Sequence, residues 1–237
     1  MDRWFLIAGR RTITHGSSIA FGSSAATVTI VNDFPVNDPR QYNPLGIEEL
    51  GKSAVRKLMD YPSVELSPAD SFDGVGIYTI HYQRDFPPYA NMADEEPIYV
   101  GKAEPRGRRP RGRRQGRAGQ PRQSPILHGR LREHAASLEA VNSLKLRDFR
   151  CRWLVLDPVW IGLTEQVLIA VYRPLWNSVV DGFGNHDPGS GRQNQRRSPW
   201  DTLHKGRQWA ERLKDGQLSN DQIIDDITRH RMGRKTT

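Results

Sequence analysis

Cysteine is nearly absent from this chain. Cys151 stands alone among 237 residues, which excludes an internal disulfide framework and any multi-cysteine zinc site. Long apolar runs are absent as well. The longest, "VLIAVY" at 167–172, falls far short of the roughly 20 residues that span a bilayer. The N-terminal "WFLIAG" is too brief for a secretory apolar region. Apolar residues make up 36% of the chain and mean hydropathy is −0.68, so the composition is polar. Together these absences point to a cytoplasmic protein with no membrane partner. No internal repeat is visible, and the length suits one domain with extensions.

What is present in excess is positive charge, and it is concentrated. The segment 104–123, "EPRGRRPRGRRQGRAGQPRQ", holds Arg106, Arg108, Arg109, Arg111, Arg113, Arg114, Arg117 and Arg122. These eight arginines equal the whole formal net charge of +8. Glycine and proline among them favour a solvated loop. Arginine rather than lysine favours a polyanion partner, because a planar fork can hold a phosphate through two donors. Nucleic acid is the expected ligand.

The remaining chain reads as mixed α and β. Residues 1–43 are interrupted by glycine and serine and carry little signal. "PLGIEELGKSAVRKLMDY" is an amphipathic helix anchored by Ile47, Leu50, Val55 and Leu58. "DGVGIYTIHY" alternates like a strand, with Ile77, Thr79 and His81 on one face and Tyr78, Ile80 and Tyr82 on the other. A second short strand, "PIYVGKA", is centred on Tyr99. A helix over "PILHGRLREHAASLEAVN" and a strand over 148–157 follow. Thr164 can cap a short helix that Pro174 stops. After a glycine-rich stretch, "SPWDTLHKGRQWAERL" and "SNDQIIDDITRHRM" read as two closing helices. The expected fold is α+β: a small, mainly antiparallel sheet flanked by helices, over 44–237, with N- and C-terminal extensions.

Several charged residues fall in unexpected places. At about 100° per residue, Leu127, Leu131, Ala135 and Leu138 form the core stripe of their helix. His134 falls inside that stripe and Arg130 on its edge, so both look inward. They are either satisfied core residues or groups facing a ligand. Glu165 opens an otherwise apolar helix. It either complements the helix dipole or offers a rigid oxygen ligand to a hard cation. Asn177 sits in "RPLWNSVV", behind a proline and a tryptophan that fix its position.

The pair "GVGIYTI" and "PIYVGKA", followed in order by an Arg-bearing helix, a strand, a Glu-bearing helix and an Asn, resembles the signature of the GIY-YIG nuclease superfamily. The second motif reads Tyr-Val-Gly in place of Tyr-Ile-Gly. The stretches "EQVLIAVYRPLWNSVVDGFGNHDPGSGR" and "SPWDTLHKGRQWAE" are similar to type II restriction endonucleases of this superfamily that recognise the palindrome CCGCGG. The resemblance covers about residues 45–215. It implies Mg2+-dependent cleavage of double-stranded DNA, with one divalent ion per active site. Tyr78 would be general base or proton relay, helped by Lys102, Arg130 or His134. Tyr99 would hydrogen-bond the scissile phosphate, Arg130 would stabilise its developing charge, and His134 would orient or deprotonate Tyr78. Glu165 would hold the metal and Asn177 would position the phosphate. The glycines beside the tyrosines would let the DNA backbone approach. Arg192, Arg196 and Arg197 are further candidates for DNA contact. A palindromic target implies a homodimer, or a tetramer of paired dimers, and a cognate DNA methyltransferase is expected in the same system. The competing functions are a homing or repair enzyme of the same superfamily and a non-catalytic DNA-binding protein.

Overall fold

The computed structural model describes residues 18–19, 28–29, 47–67, 70–90, 92–104, 125–189 and 194–235. The arginines Arg106 to Arg122 and Arg192 lie outside the described residues, as do most of residues 1–43. Strands β1 (Ser18–Ile19) and β2 (Val28–Thr29) pair antiparallel. The main sheet contains β3 (Val64–Glu65), β4 (Gly76–Tyr82), β5 (Pro97–Ala103) and β6 (Phe149–Val155), in the order β3-β6-β4-β5. All its pairings are antiparallel. The protein is therefore α+β, as the order of its elements suggested.

Strand β4 is central and all seven of its residues are buried, because helices cover both faces of the sheet. On one face Tyr78, Ile80 and Tyr82 stand opposite Trp153, Cys151 and Phe149 of β6. They pack against α2 (Ile126–Glu139), α4 (Leu175–Ser178), α5 (Pro199–Leu203) and α7 (Asn220–Lys235), around Trp176, Phe183 and Trp200. On the other face Ile77 and Val100 meet α1 (Ile47–Met59) and α3 (Pro158–Tyr172) through Val55, Leu58, Ile161, Leu168 and Val171. The period-2 alternation of β4 thus separates two apolar clusters. Helix α2 buries the expected stripe of Leu127, Leu131, Ala135 and Leu138, with His134 in it.

Two helix boundaries differ from the sequence expectation. Helix α3 begins at Pro158, capped by the Asp157 side chain, which accepts from Val159 N at 3.1 Å. Asp at the cap and Pro at the first position are a start signal of their own. Thr164 is consequently buried in mid-helix and Glu165 lies two turns in, so Glu165 is no dipole-complementing end charge. The stretch 198–213 is not one helix. Helix α5 ends at Leu203 and α6 covers Gln208–Glu211, separated by Gly206 at φ +142°. A Cβ on Gly206 would lie 2.1 Å from Ala140 O, so only glycine lets the chain turn there.

Candidate active site

The site gathers at the β5 edge of the sheet. Register places Tyr78 opposite Gly101 and Ile80 opposite Tyr99, so both tyrosines project from the same face. Arg130 and His134 are four apart on α2 and face that pair from one side of the helix. The Tyr78 hydroxyl and His134 Nε2 are 2.6 Å apart. The Tyr99 and His134 rings are 5.3 Å apart, and Phe183 stacks on His134 at 4.5 Å while meeting the Tyr99 ring edge-on at 5.2 Å.

Gly101 has a structural cause. A Cβ there would lie 2.4 Å from Tyr78 Oη and 2.9 Å from Tyr99 Cε1. On Gly76 it would lie 2.0 Å from Leu154 O. The glycines of the two tyrosine motifs therefore make room for the protein's own rings and backbone.

Burial sets the protonation states. It pushes the Tyr78 phenol well above its usual 10; Tyr99 adds to this and Arg130 opposes it. Tyr99 is raised too, by burial first. Burial, with the charges of Arg130, His186 and Arg207, drives His134 well below 6.5. His134 is thus neutral, and in the tautomer protonated at Nδ1 the Tyr78 O–H donates to its Nε2. The positive neighbours do not make Tyr78 a ready base, because desolvation outweighs them.

Arg130 is held at three points. Its Nη1 donates to Glu133 Oε2 at 2.8 Å and also meets His186 Nε2, while Nη2 donates to Gly184 O at 3.0 Å. Arg130 borders a cleft of about 590 Å³ with Lys102, Glu104, Gly129, Glu133 and His186. Tyr78 is fully buried behind this wall. The arginine-rich segment leaves and rejoins the described chain at Glu104 and Pro125, on the border of the same cleft.

Lys102 belongs to the opposite face of β5. Its Nζ lies 3.2 Å from Glu165 Oε2 and 3.6 Å from Glu104 Oε1, so it serves the carboxylates and not Tyr78. Burial raises the Glu165 pKa and Lys102 opposes the rise. Glu165 does not itself line the cleft but adjoins it through Lys102, and its partly desolvated carboxylate is the oxygen-ligand type that a hard cation takes. Among the described residues no group of three or more acidic, His or Cys side chains is placed to hold a metal. Water and phosphate oxygens would have to complete the shell.

A family model described as the Eco29kI GIY-YIG domain matches residues 70–231. The chain belongs to this family of GIY-YIG restriction endonucleases. No match was found among curated proteins. As a GIY-YIG nuclease the chain acts on DNA, and among its described residues no helix is long and apolar enough to cross a membrane.

Other expected site residues of this GIY-YIG domain are placed differently. Asn177 binds the backbone of β5: its Oδ1 accepts from Val100 N and its Nδ2 donates to Val100 O, both at 2.8 Å. It fastens the strand that carries Tyr99 and Lys102. Arg197 turns inward, 3.5 Å from Asp215, with only 11% of its side chain exposed, and Arg196 donates to Asp215 O at 3.3 Å. Arg196 is exposed and borders a surface pocket with Arg197, so its guanidinium stays accessible, whereas Arg197 is mostly covered. The sequence reading missed His186, Phe183, Gly184 and Arg207. The signal available for them was the glycine-rich "VVDGFGNHDPGSGR", whose tight turns bring backbone close to side chains.

Proposed function

We propose that this chain is a type II restriction endonuclease that makes double-strand cuts in the palindrome CCGCGG by Mg2+-dependent phosphodiester hydrolysis. The observation that carries the hydrolytic reading is the buried 2.6 Å Tyr78–His134 hydrogen bond beside Arg130. As Tyr78 takes a proton from the attacking water, its own proton passes to Nε2 of His134. Concerted transfer avoids a free phenolate, which burial makes costly. The scissile phosphate enters the cleft that Arg130 borders, where the guanidinium donors meet charge developing on the equatorial oxygens. Neutralising Arg130 also removes a repulsion that keeps His134 unprotonated. Tyr99 hydrogen-bonds the same phosphate. Glu165 would hold the Mg2+ ion, which when bound supplies Lewis-acid stabilisation of the leaving oxygen.

The CCGCGG specificity rests on the similarity of 165–192 and 198–211 to enzymes with that target. A palindrome is read by two symmetric copies, so the active form is a homodimer. The arginine-rich segment, joined to the chain at the cleft, supplies sequence-independent phosphate contacts. The test is digestion of a plasmid carrying one CCGCGG site, with and without Mg2+, followed by end mapping. One linear product with ends at that site is expected. Cuts at other sequences would overturn the specificity, nicking of damaged DNA would indicate repair, and a gel shift without cleavage would indicate a binder.

A further inference from the structure

Behind the cleft wall lies a charged pair that the chemistry above does not use. Asp201 is 1% exposed and Arg207 4%. Arg207 Nε donates to Asp201 Oδ1 at 2.6 Å, and Ser198 Oγ donates to Oδ2 at 2.7 Å. The guanidinium lies 4.4 Å from the Trp200 ring and 4.7 Å from the Trp209 ring. A buried ion pair often stabilises no better than apolar residues of the same volume, so stability alone is a weak reason for it.

The remaining donors of Arg207 suggest another reason. Nη1 donates to Phe183 O at 3.0 Å and to Asn185 O at 3.3 Å, and Nη2 donates to Gly182 O at 2.9 Å. One side chain therefore grips three carbonyls of a single loop. That loop makes three contacts with the site. Phe183 stacks on His134, Gly184 O accepts from Arg130, and His186 Nε2 meets Arg130. Gly182, at φ +106°, lets the loop press on Ser198, where a Cβ would lie 2.1 Å from the hydroxyl.

We infer that Arg207, anchored by Asp201, is a positioning residue for DNA cleavage: it holds loop 182–186 so that Arg130 and His134 keep their reacting geometry. Lysine cannot replace it. A point charge can satisfy Asp201, but only a planar fork with five donors reaches a carboxylate and three carbonyls at once. The inference rests on the proposed roles of Arg130 and His134. The charged and titratable groups facing His134 are Tyr78 from β4, Tyr99 from β5, Arg130 from its own helix, and His186 and Arg207 from the C-terminal half.

Two variants of the full chain test it. Arg207→Lys keeps the counter-charge and loses the fork. The double variant Asp201→Leu/Arg207→Met removes both charges and leaves no unpaired ion. Wild type and Tyr78→Phe run beside them. Melting, binding to a CCGCGG duplex, single-turnover cleavage against pH, and a histidine NMR titration of His134 are measured. For Arg207→Lys we expect cooperative melting, affinity within a few-fold, and a cleavage rate lower by at least about tenfold, since a 1 Å displacement costs about 10². Its His134 signals shift while its acid limb stays in place. In the double variant the acid limb and the His134 titration move to higher pH, because one positive neighbour is gone. A folded Arg207→Lys with wild-type rate, or with unchanged His134 signals, overturns the inference, and this holds even if the double variant does not fold. If wild type cuts no DNA, or Tyr78→Phe matches it, the catalytic reading fails, and the NMR arm still decides the positioning claim.

Discussion

Replacing Gly101 with alanine is the smallest change that tests how this site is built. The added methyl would start 2.4 Å from Tyr78 Oη and 2.5 Å from Cζ. Ordinary carbon contact is about 3.5 Å, so the ring must retreat by about 1 Å. Tyr78 is fully buried between β5, β6 and α2, so nothing soft yields on its far side. A 2.6 Å bond to His134 stretched by about that much exceeds 3.5 Å and is no longer a hydrogen bond. Overpacking of this kind costs about 1–3 kcal/mol, a fall in melting temperature of a few degrees for a domain of this size. The effect on chemistry is larger, because misplacing a reacting group by about 1 Å costs about 10²-fold. Single-turnover cleavage at saturating enzyme measures the chemical step, and a thermal melt measures the fold. Gly101→Ala with normal melting and wild-type cleavage would show that Tyr78 can move freely, and would refute the claim that its placement matters. If the glycine instead admitted DNA, affinity would fall and single-turnover rate would not.

Four further outcomes are expected. Tyr78→Phe keeps the ring and should bind DNA within a few-fold while single-turnover cleavage slows by about 10² to 10⁴; a normal rate would return Tyr78 to the core. Glu165→Gln should abolish cleavage and weaken Mg2+ binding measured by calorimetry, with the fold intact, and retention of both would make Glu165 only a partner of Lys102. Stability should fall in acid: burial lowers the pKa of His81 and His204 to about 3 and that of His134 well below 6.5, so the unfolded chain takes up these protons first. That stability is complete above about pH 6.5 and is lost as pH drops below it, by roughly 4 kcal/mol per unit for three histidines; equal urea midpoints at pH 7 and 5 would contradict this. Changing Arg108, Arg109, Arg113 and Arg114 to alanine should flatten the salt dependence of DNA binding by about 0.9 per lost phosphate contact, equally for cognate and other sequences, and a loss confined to the cognate site would make the segment a base reader.

Local pattern carried much of this protein. The alternation through Tyr78, Ile80 and Tyr82 assigned the strand and its faces, because side chains in a strand can only alternate. The 3.6-residue period of α2 put His134 in the apolar stripe and Arg130 beside it, which marked both as unusual before any partner was known. The order of these motifs pointed to the family. What tertiary structure decided were the meetings between distant residues. Tyr78 and His134 are 56 positions apart, and only the packing of α2 on the sheet brings them to 2.6 Å. Register, not composition, set Gly101 against the Tyr78 ring and assigned Lys102 to Glu165. The start of α3 at Asp157 took Glu165 out of the first turn. The grip of Arg207 on loop 182–186 has no local pattern at all, because a guanidinium meets three carbonyls only after two segments have folded together. Protonation followed the same division: residue type supplies the reference pKa, and burial, a property of the whole fold, decided that Tyr78 keeps its proton and His134 stays neutral.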